Sequence, residues 1–398
     1  MSKSQISDSP SAISPSLSAE QVAPLFEPTN LAGLEVCNRI AMAPMTRRLT
    51  PDDRVPSQAV VDYYTRRAAG GVGLIITEGT HVDAKHAPDS ENVPGIFTNE
   101  QAAGWKRVID SVHAAKNSFA GPSRIAVQLW HTGRHAMDPI GPSAIPVHKK
   151  SGGTNTTPRA MTEADMDEVV AIFENAARLA LQAGFDSMEI HGAHGYLLDS
   201  FLSPASNQRT DDYGGSFENR MRFPLRVVRA VRAVLDQHAG PDYPLMIRFS
   251  QWRMEDYSAY AFPDPEHLER WVLALKDAGV DILHVSTRNA TDPGFPHLFD
   301  PDTEDGRRTL AGWARKLSGN MPTVAVGRVS VSASMDEGAA VQTTDPAPVA
   351  DLITRGEADM IAVGRSLIAN PRWCEIVREG RWTELVPYSR DMLETLDH

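Results

Sequence analysis

Eight short runs of mainly apolar residues recur at intervals of roughly 30 to 60 residues along the chain, which leaves room for one helix after each run. Branched apolar residues dominate these runs, as is typical of strands that are buried on both faces. Strands that alternate with helices predict a parallel α/β sheet, and eight such units favour a closed (β/α)8 TIM barrel over an open sheet. The predicted strands are residues 39–45, 72–78, 124–130, 187–191, 245–250, 282–286, 323–327 and 360–364.

Several segments between the runs carry the signals of amphipathic helices. Thr162 and Asp165 have the spacing of a capping box, and the helix that they begin is expected to end at Gly184. Apolar residues at helical spacing also occupy residues 227–235 and 268–275. No GxGxxG motif follows the first run, which counts against a dinucleotide-binding open sheet.

The remaining segments predict loops, a hairpin and a tail. Long loops at residues 132–160 and 288–307 follow the third and sixth predicted strands, at the end where barrels carry their active sites, and are expected to cover a substrate. Residues 26–38 predict a short hairpin that closes the opposite end of the barrel. Residues 1–24 are rich in Ser and Pro and predict a disordered N-terminal tail, so the barrel is expected to occupy residues 25–398 as a single domain.

Composition favours small molecules as partners. The formal net charge of −12 repels phosphate backbones and acidic lipid surfaces, and no run approaches the roughly 18 apolar residues of a membrane span, so we expect neither nucleic acid nor membrane as a partner. The two cysteines, Cys37 and Cys374, are too few for a disulfide framework or for a four-cysteine zinc or iron–sulfur site. They favour a reducing cytoplasm. Whether the chain forms a homo-oligomer is left open.

Polar residues fall repeatedly at the carboxyl ends of the apolar runs. Because the carboxyl ends of barrel strands face one side, all of these residues are expected to meet there, at what we call the mouth of the barrel. The residues are Thr46, Glu78, Gly79, Gln128, Trp130, His131, His191, His194, Arg248, Gly327, Arg328, Gly364 and Arg365.

At these positions the chain resembles the Old Yellow Enzyme family of FMN-dependent ene-reductases. The resemblance runs in order from about residue 25 to residue 373 and therefore covers nearly the whole predicted barrel. Several motifs in the same order are far more specific than any one of them. The motifs are NRIAMAPMTR (38–47), YYTRRAAGGVGLIITEGT (63–80), VQLWHTGR (127–134), FDSMEIHGAHGYLLDSFLSP (185–204), NQRTDDYGGSFENR (207–220) and VGRSLIANP (363–371).

The resemblance implies a non-covalent FMN, with NADPH or NADH as the reductant. Thr46 and the Gly79 backbone would lie at the flavin O4 edge, and Pro44 and Met45 would also line the cofactor. Gln128 would pair with the pyrimidine side of the ring. Arg248 would lie by flavin N1 and O2, where a permanent positive charge offsets the negative charge that reduction leaves. An ion pair with a neighbouring loop is the alternative for a lone arginine at a strand end.

The turns after the last two predicted strands resemble the phosphate site that barrels commonly carry there. Gly327 with Arg328 follows the seventh strand, and Gly364 with Arg365 follows the eighth. Backbone N–H groups and a guanidinium would hold the FMN phosphate. Glycines that only form tight turns are the alternative for either loop alone.

The resemblance also implies how the substrate, an alkene conjugated to a carbonyl or nitro group, is bound and protonated. His191 and His194 would donate hydrogen bonds to the carbonyl oxygen, so that the β-carbon accepts hydride from flavin N5. Tyr196 would then protonate the α-carbon, and Trp130 would form a wall of the pocket. Many relatives have Asn in place of His194, so titration of this imidazole is an expected source of pH dependence.

Two alternatives stay open at this point, and the number of cysteines argues against a third. A zinc-dependent barrel hydrolase would use His131, His135, His191 and His194, although their spacing lacks a clear ligand set and the prediction is that no metal is bound. A barrel that binds ligands without catalysis is the second, because fold alone does not prove function. The third, a larger dienoyl-CoA-type reductase, needs an iron–sulfur cluster that two cysteines cannot hold.

Overall fold

The computed structural model describes residues 15–147, 156–333 and 341–398, and within them eight parallel strands close into a barrel. The barrel order is β10-β11-β12-β3-β4-β5-β8-β9, and β1-β2 and β6-β7 form separate pairs. The strands are β1 (Thr29–Leu31), β2 (Leu34–Val36), β3 (Ile40–Met42), β4 (Leu74–His81), β5 (Arg124–Trp130), β6 (Ile140–Gly141), β7 (Arg159–Ala160), β8 (Ser187–His191), β9 (Leu245–Ser250), β10 (Ile282–Ser286), β11 (Thr323–Val326) and β12 (Met360–Val363).

Helices connect successive barrel strands, as a (β/α)8 architecture requires. Nowhere in the described ranges is there a helix with both the length and the apolar character needed to cross a membrane. The helices are α1 (Pro15–Val22), α2 (Gln58–Ala69), α3 (Asn99–Ala114), α4 (Glu163–Ala183), α5 (Leu197–Leu202), α6 (Phe217–His238), α7 (Pro265–Asp277), α8 (Glu304–Arg307), α9 (Leu310–Leu317), α10 (Ala347–Thr354), α11 (Arg365–Ala369) and α12 (Trp373–Arg378).

The structure confirms the eight predicted strands and the closed barrel. Strands β5, β8, β9 and β10 have the predicted bounds. The first barrel strand ends at Met42, before the predicted residue 45, because Pro44 has no N–H with which to continue the ladder of hydrogen bonds. The second strand continues to His81, beyond the predicted residue 78, because its last residues pair with the end of β5 after a register shift.

The predicted hairpin and helix caps are also present. Strands β1 and β2 pair antiparallel, and their apolar side chains pack with residues at the amino ends of the barrel strands, so the hairpin closes that end. At the start of α4, Thr162 Oγ1 accepts from the Asp165 N–H at 3.2 Å, and the Asp165 carboxylate accepts from the Thr162 N–H at 2.7 Å. Gly184 ends the helix in the left-handed conformation, with φ of 95°.

The prediction of a disordered tail through residue 24 is wrong at its carboxyl end. Residues 15–22 form α1, and a 3-10 turn, Ala23–Phe26, follows it. Val22 and Leu25 are buried in the main core cluster, so apolar burial orders a segment whose composition is otherwise polar. Residues 1–14 lie outside the described residues.

The two long loops leave the carboxyl ends of β5 and β10, as predicted. The first contains a 3-10 turn, Gly133–His135, and the short pair β6 and β7, while residues 148–155 lie outside the described residues. The second contains α8. Their predicted role in covering a substrate stays a prediction.

Candidate active site

Four side chains that the sequence assigns to the substrate form one aromatic cluster at the mouth. The Trp130 and His191 rings are stacked, with centroids 6.0 Å apart. Tyr196 lies edge-on to both rings, 5.0 Å from each centroid. The rings of His191 and His194 are 5.2 Å apart. The fold therefore brings together residues that two different strand ends supply.

His191, the last residue of β8, is a neutral hydrogen-bond donor. Its Nδ1 accepts from the Ala193 N–H at 3.3 Å. Because a backbone amide can only donate, Nδ1 is unprotonated and the neutral ring carries its proton on Nε2. Burial lowers the pKa of His191 well below its ordinary value, and the positive charge of Arg248 adds to this shift. The Nε2–H is thus the group that His191 can offer to a ligand.

His194 is held from several sides in an unusual backbone conformation. Its φ is 65°, in the left-handed region, and its N–H donates to Ser250 Oγ at 2.9 Å. The ring stacks on Trp252 with centroids 4.2 Å apart. Burial lowers the pKa of His194 well below its ordinary value, with the Arg248 charge as a further cause. His194 is therefore neutral near pH 7, and the pH dependence predicted from its titration is not expected there.

Tyr196 is a protonated phenol beside these imidazoles. It lies directly before α5, and the His135 ring is edge-on to it at 5.4 Å. Burial raises the pKa of Tyr196 above its ordinary value, and the negative charge of Asp89 raises it further. Its hydroxyl therefore keeps its proton across the neutral range.

A buried polar network lies beside this cluster, inside the barrel. Gln128 Nε2 donates to Glu189 Oε1 at 2.8 Å, and the other carboxylate oxygen of Glu189 is 2.5 Å from His284 Nδ1. The side chains of Glu189 and His284 are completely buried. Because Glu189 accepts a hydrogen bond from the side-chain N–H group of Gln128, the position of the Gln128 carboxamide is fixed.

Arg248 places a permanent charge next to the imidazoles. It lies in register with His191 on β8 and with His284 on β10. Burial lowers the pKa of Arg248 to about 10, so the guanidinium still carries its charge at neutral pH. Nη2 donates to Ser286 Oγ at 3.2 Å. Nε is buried and has no hydrogen-bond partner in the described part of the chain, which leaves a donor for a ligand.

The loop after β3 is fixed by a buried carboxylate. Pro44, Met45 and Thr46 are partly exposed in this loop. Glu78 Oε2 accepts from the Arg47 N–H at 2.9 Å, which ties the loop to the neighbouring strand β4. Burial raises the pKa of Glu78 to about 7. The three predicted cofactor residues thus have a defined position beside β4.

Gly79 has a steric requirement that the sequence alone does not show. It pairs with Gln128 across β4 and β5. A Cβ at Gly79 would lie 2.4 Å from a carbon of the Trp130 ring. Only glycine therefore lets Trp130 pack over this strand.

The turns after β11 and β12 are adjacent because these two strands pair. A Cβ at Gly327 would lie 2.6 to 2.8 Å from three backbone atoms, so glycine is required there, whereas a Cβ at Gly364 would meet only ordinary contacts. Arg328 has φ of 46°, and the Arg365 guanidinium lies 5.8 Å from the Tyr388 ring. The nearby hydroxyls of Ser330 and Ser366 are buried and have no partner within the described ranges.

The histidines of the zinc alternative have separate roles. His131 Nδ1 accepts from the Gly133 N–H at 3.1 Å, and His135 Nε2 lies 3.0 Å from Glu255 Oε1. Among the residues that the structure describes, no three His, Cys, Asp or Glu side chains form a group that could hold a metal ion. The described residues therefore provide no set of ligands for the zinc-dependent alternative.

Sequence reasoning missed several functional candidates. Glu189 and His284 are polar residues inside apolar strands, and this pattern could have identified them as pointing into the barrel. Ser286 is the last residue of β10 and is 2% exposed. Its link to His194, 92 positions away in sequence, has no local signal.

The closed (β/α)8 barrel and the polar groups that meet at its mouth define the class of this protein, a barrel with the architecture of an enzyme. A sequence model described as the NADH:flavin oxidoreductase / NADH oxidase family matches residues 24–384. The chain belongs to this family, the Old Yellow Enzyme family, and is an oxidoreductase that uses FMN and a nicotinamide.

Individual relatives match over most of the chain. An NADPH dehydrogenase of Geobacillus sp. (strain WCH70) is 36% identical over 360 residues, which cover 88% of this chain and 92% of the relative. An NADH oxidase of Thermoanaerobacter brockii is 35% identical over 91% of this chain, which spans only 52% of the oxidase. The structure of morphinone reductase with tetrahydroNAD superposes with a TM-score of 0.72 at 31% identity, and the match covers 93% of each chain.

Proposed function

We propose that this protein reduces the carbon–carbon double bond of α,β-unsaturated carbonyl or nitro compounds with electrons from NADPH or NADH. The observation that carries the proposal is the cluster at the mouth in which the His191 ring lies 5.2 Å from the His194 ring and 5.0 Å from the Tyr196 ring. Bound FMN would supply the hydride chemistry, from the nicotinamide to the β-carbon of the alkene. The relation to a structure named morphinone reductase supports a reductase of this kind.

His191 and His194 have the state that polarises a substrate oxygen. Both imidazoles are neutral, so each carries one N–H and keeps one nitrogen as an acceptor. Hydrogen bonds from both rings to the carbonyl or nitro oxygen draw electron density from the alkene, and they strengthen as negative charge develops on that oxygen. Trp130 stacks on His191 and forms one wall of the pocket.

Tyr196 is the proposed general acid. Its hydroxyl is protonated at neutral pH and lies within the same cluster as His191 and Trp130. Hydride addition at the β-carbon leaves the α-carbon as the basic position, and a positioned phenol delivers a proton there. The division of roles is therefore two imidazoles for the oxygen and one phenol for the carbon.

The residues on the flavin side fit FMN. Arg248 has a buried Nε without a partner among the described residues, and its charge would offset negative charge at N1 and O2. Gln128, held by Glu189, would pair with the pyrimidine edge. Thr46 and the Gly79 backbone would line the O4 edge, with Pro44 and Met45 beside them.

The adjacent turns after β11 and β12 fit the phosphate. The proposed site consists of Gly327, Arg328, Gly364 and Arg365. Gly327 has to be glycine because a Cβ there would meet the backbone of residues 287–290, in the loop after β10. The buried hydroxyls of Ser330 and Ser366 add candidate donors that sequence reasoning did not name.

The first test of this proposal is cofactor content and a complete catalytic cycle. We expect the purified protein to be yellow, with about one FMN per chain that is released on denaturation. Under anaerobic conditions NADPH or NADH should bleach the flavin absorbance, and cyclohexenone should restore it. Flavin that is reduced by a nicotinamide but is not reoxidised by any activated alkene would contradict the proposed substrate class and leave the family assignment intact.

Arg365→Ala is expected to weaken FMN binding. A lost charge-assisted hydrogen bond of about 1.5–3 kcal/mol corresponds to a dissociation constant roughly 10- to 150-fold higher. The measurement is titration of the apoprotein with FMN by flavin fluorescence. Arg365→Lys is the matched control, because it keeps the charge and loses the planar donor fork, so it should bind with intermediate affinity. Equal FMN affinity in all three proteins would assign Arg365 to packing against Tyr388.

A further inference from the structure

Ser286 is a single hydroxyl that lies between the substrate side and the flavin side of the proposed site. Its Oγ is 2.9 Å from His194 Nε2 and 3.2 Å from Arg248 Nη2. Strand β10 delivers it there as its last residue, in register with Ser250, which binds the backbone N–H of His194. Two neighbouring strand ends therefore hold the ring and the backbone of the same histidine.

One of the two hydrogen bonds at Ser286 has a direction that its partner fixes. A guanidinium has only donors, so Ser286 Oγ accepts from Arg248. The hydroxyl then has one proton left to give, and His194 Nε2 lies at donating distance. Burial lowers the pKa of His194, so a neutral ring with one unprotonated nitrogen is present to accept that proton.

We infer that Ser286 is a positioning residue that donates its hydroxyl proton to His194 Nε2 and thereby fixes the neutral imidazole as the Nδ1–H tautomer. His194 then has a single N–H, at Nδ1, for the substrate oxygen. Without this hydroxyl the ring proton can move to Nε2, next to the positive Arg248, and the donor toward the substrate is lost. The role of the Nδ1–H in binding the substrate rests on the proposed function. The tautomer of His194 does not.

The neighbouring histidine has the opposite tautomer. The Ala193 N–H holds the His191 proton on Nε2, while Ser286 holds the His194 proton on Nδ1. The two rings stand at 78° to each other with centroids 5.2 Å apart. Setting each tautomer by a different neighbour gives two fixed donors, and the protein needs no positive charge on either ring.

The direct test reads the tautomer in the oxidised FMN holoenzyme, without substrate. Protein labelled with [15N]histidine would be studied by two-bond 1H–15N correlation, and the His194 signals among the 13 histidines would be assigned by their loss in His194→Asn. We expect Nδ1 of His194 to be protonated in the wild type. Ser286→Ala should populate the Nε2–H form, and Ser286→Thr, which keeps the hydroxyl, should restore the wild-type pattern. A wild-type ring protonated on Nε2, or an unchanged tautomer in Ser286→Ala, would overturn the inference.

A double-mutant cycle tests whether the effect on ligands passes through His194. Dissociation constants for cyclohexenone would be measured on the oxidised holoenzyme by the change in flavin absorbance. Ser286→Ala should raise the constant roughly 2- to 10-fold in the wild type. In the His194→Asn background it should have little further effect, because an amide has no tautomer to set. Equal losses in both backgrounds would show that Ser286 acts through Arg248 instead and would contradict the inference.

The two failures are distinguishable. If the tautomer responds to Ser286 as expected but no activated alkene reoxidises the flavin, the proposed substrate class is wrong and the inference about His194 stands. If alkenes are reduced but the tautomer does not respond, the proposed function stands and the positioning role of Ser286 is wrong. FMN content and the visible spectrum of each variant show whether the fold is intact.

Discussion

Replacing Tyr196 by Phe is expected to separate the two half-reactions of the enzyme. The substitution removes one hydroxyl and keeps the ring that packs against Trp130 and His191. Flavin reduction by a nicotinamide needs no proton from this residue and should keep a similar rate. Alkene reduction needs a proton at the α-carbon, and the loss of a positioned general acid should slow it by roughly 10²–10⁴-fold.

Stopped-flow absorbance of the flavin measures both rates, with NADPH or NADH in one experiment and with cyclohexenone in the other. The raised pKa of Tyr196 adds a control in the wild type, since its hydroxyl stays protonated and should cause no loss of the oxidative rate between about pH 6 and pH 9. If Tyr196→Phe slowed flavin reduction as much as alkene turnover, or slowed neither, the proton would have to come from water or another residue.

His191→Ala is expected to have the second large effect. In the proposed function His191 offers its Nε2–H to the substrate oxygen, and the removal of one such donor typically costs roughly 10²–10³-fold in turnover. Binding of cyclohexenone to the oxidised enzyme should weaken as well, because the contact exists before the reaction. Steady-state kcat and KM for the enone, together with flavin reduction by the nicotinamide as the internal reference, measure the effect.

His191→Asn is the matched control for this variant. An asparagine amide keeps an N–H donor without the imidazole, so it should recover a large part of the activity that alanine loses. The stack with Trp130 is absent in both variants, and the difference between them therefore isolates the hydrogen bond from the packing. Equal losses in both variants would assign His191 to packing rather than to the substrate oxygen.

The protonation states at the mouth have one common physical origin. His191 and His194 are buried and Tyr196 is partly buried, and removal from water favours the neutral form of each group. Arg248 is buried too, but its intrinsic pKa is so high that it stays charged even when lowered to about 10. Arg248 thus keeps a fixed positive charge beside the neutral groups of His191, His194 and Tyr196.

The sequence by itself determined the strands, the main helix signals, the hairpin and the residues at the strand ends. These features depend on local chemistry, such as branched apolar runs, the capping pair at Thr162 and the left-handed glycine at Gly184. The carboxyl ends of barrel strands share one side, so the order of strands alone sufficed to predict that Trp130 and His191 meet.

The tertiary structure alone decided the contacts between those strand ends. Ser286 contacts His194 across 92 positions in the sequence, and Glu189 contacts His284 across 95. Neither contact can be predicted from the local pattern of residues. The protonation states could not be predicted from the sequence either, because they depend on burial and on charges that distant strands supply. Helix α1 follows the same rule, since a segment with a disordered composition becomes ordered only where Val22 finds an apolar surface to cover.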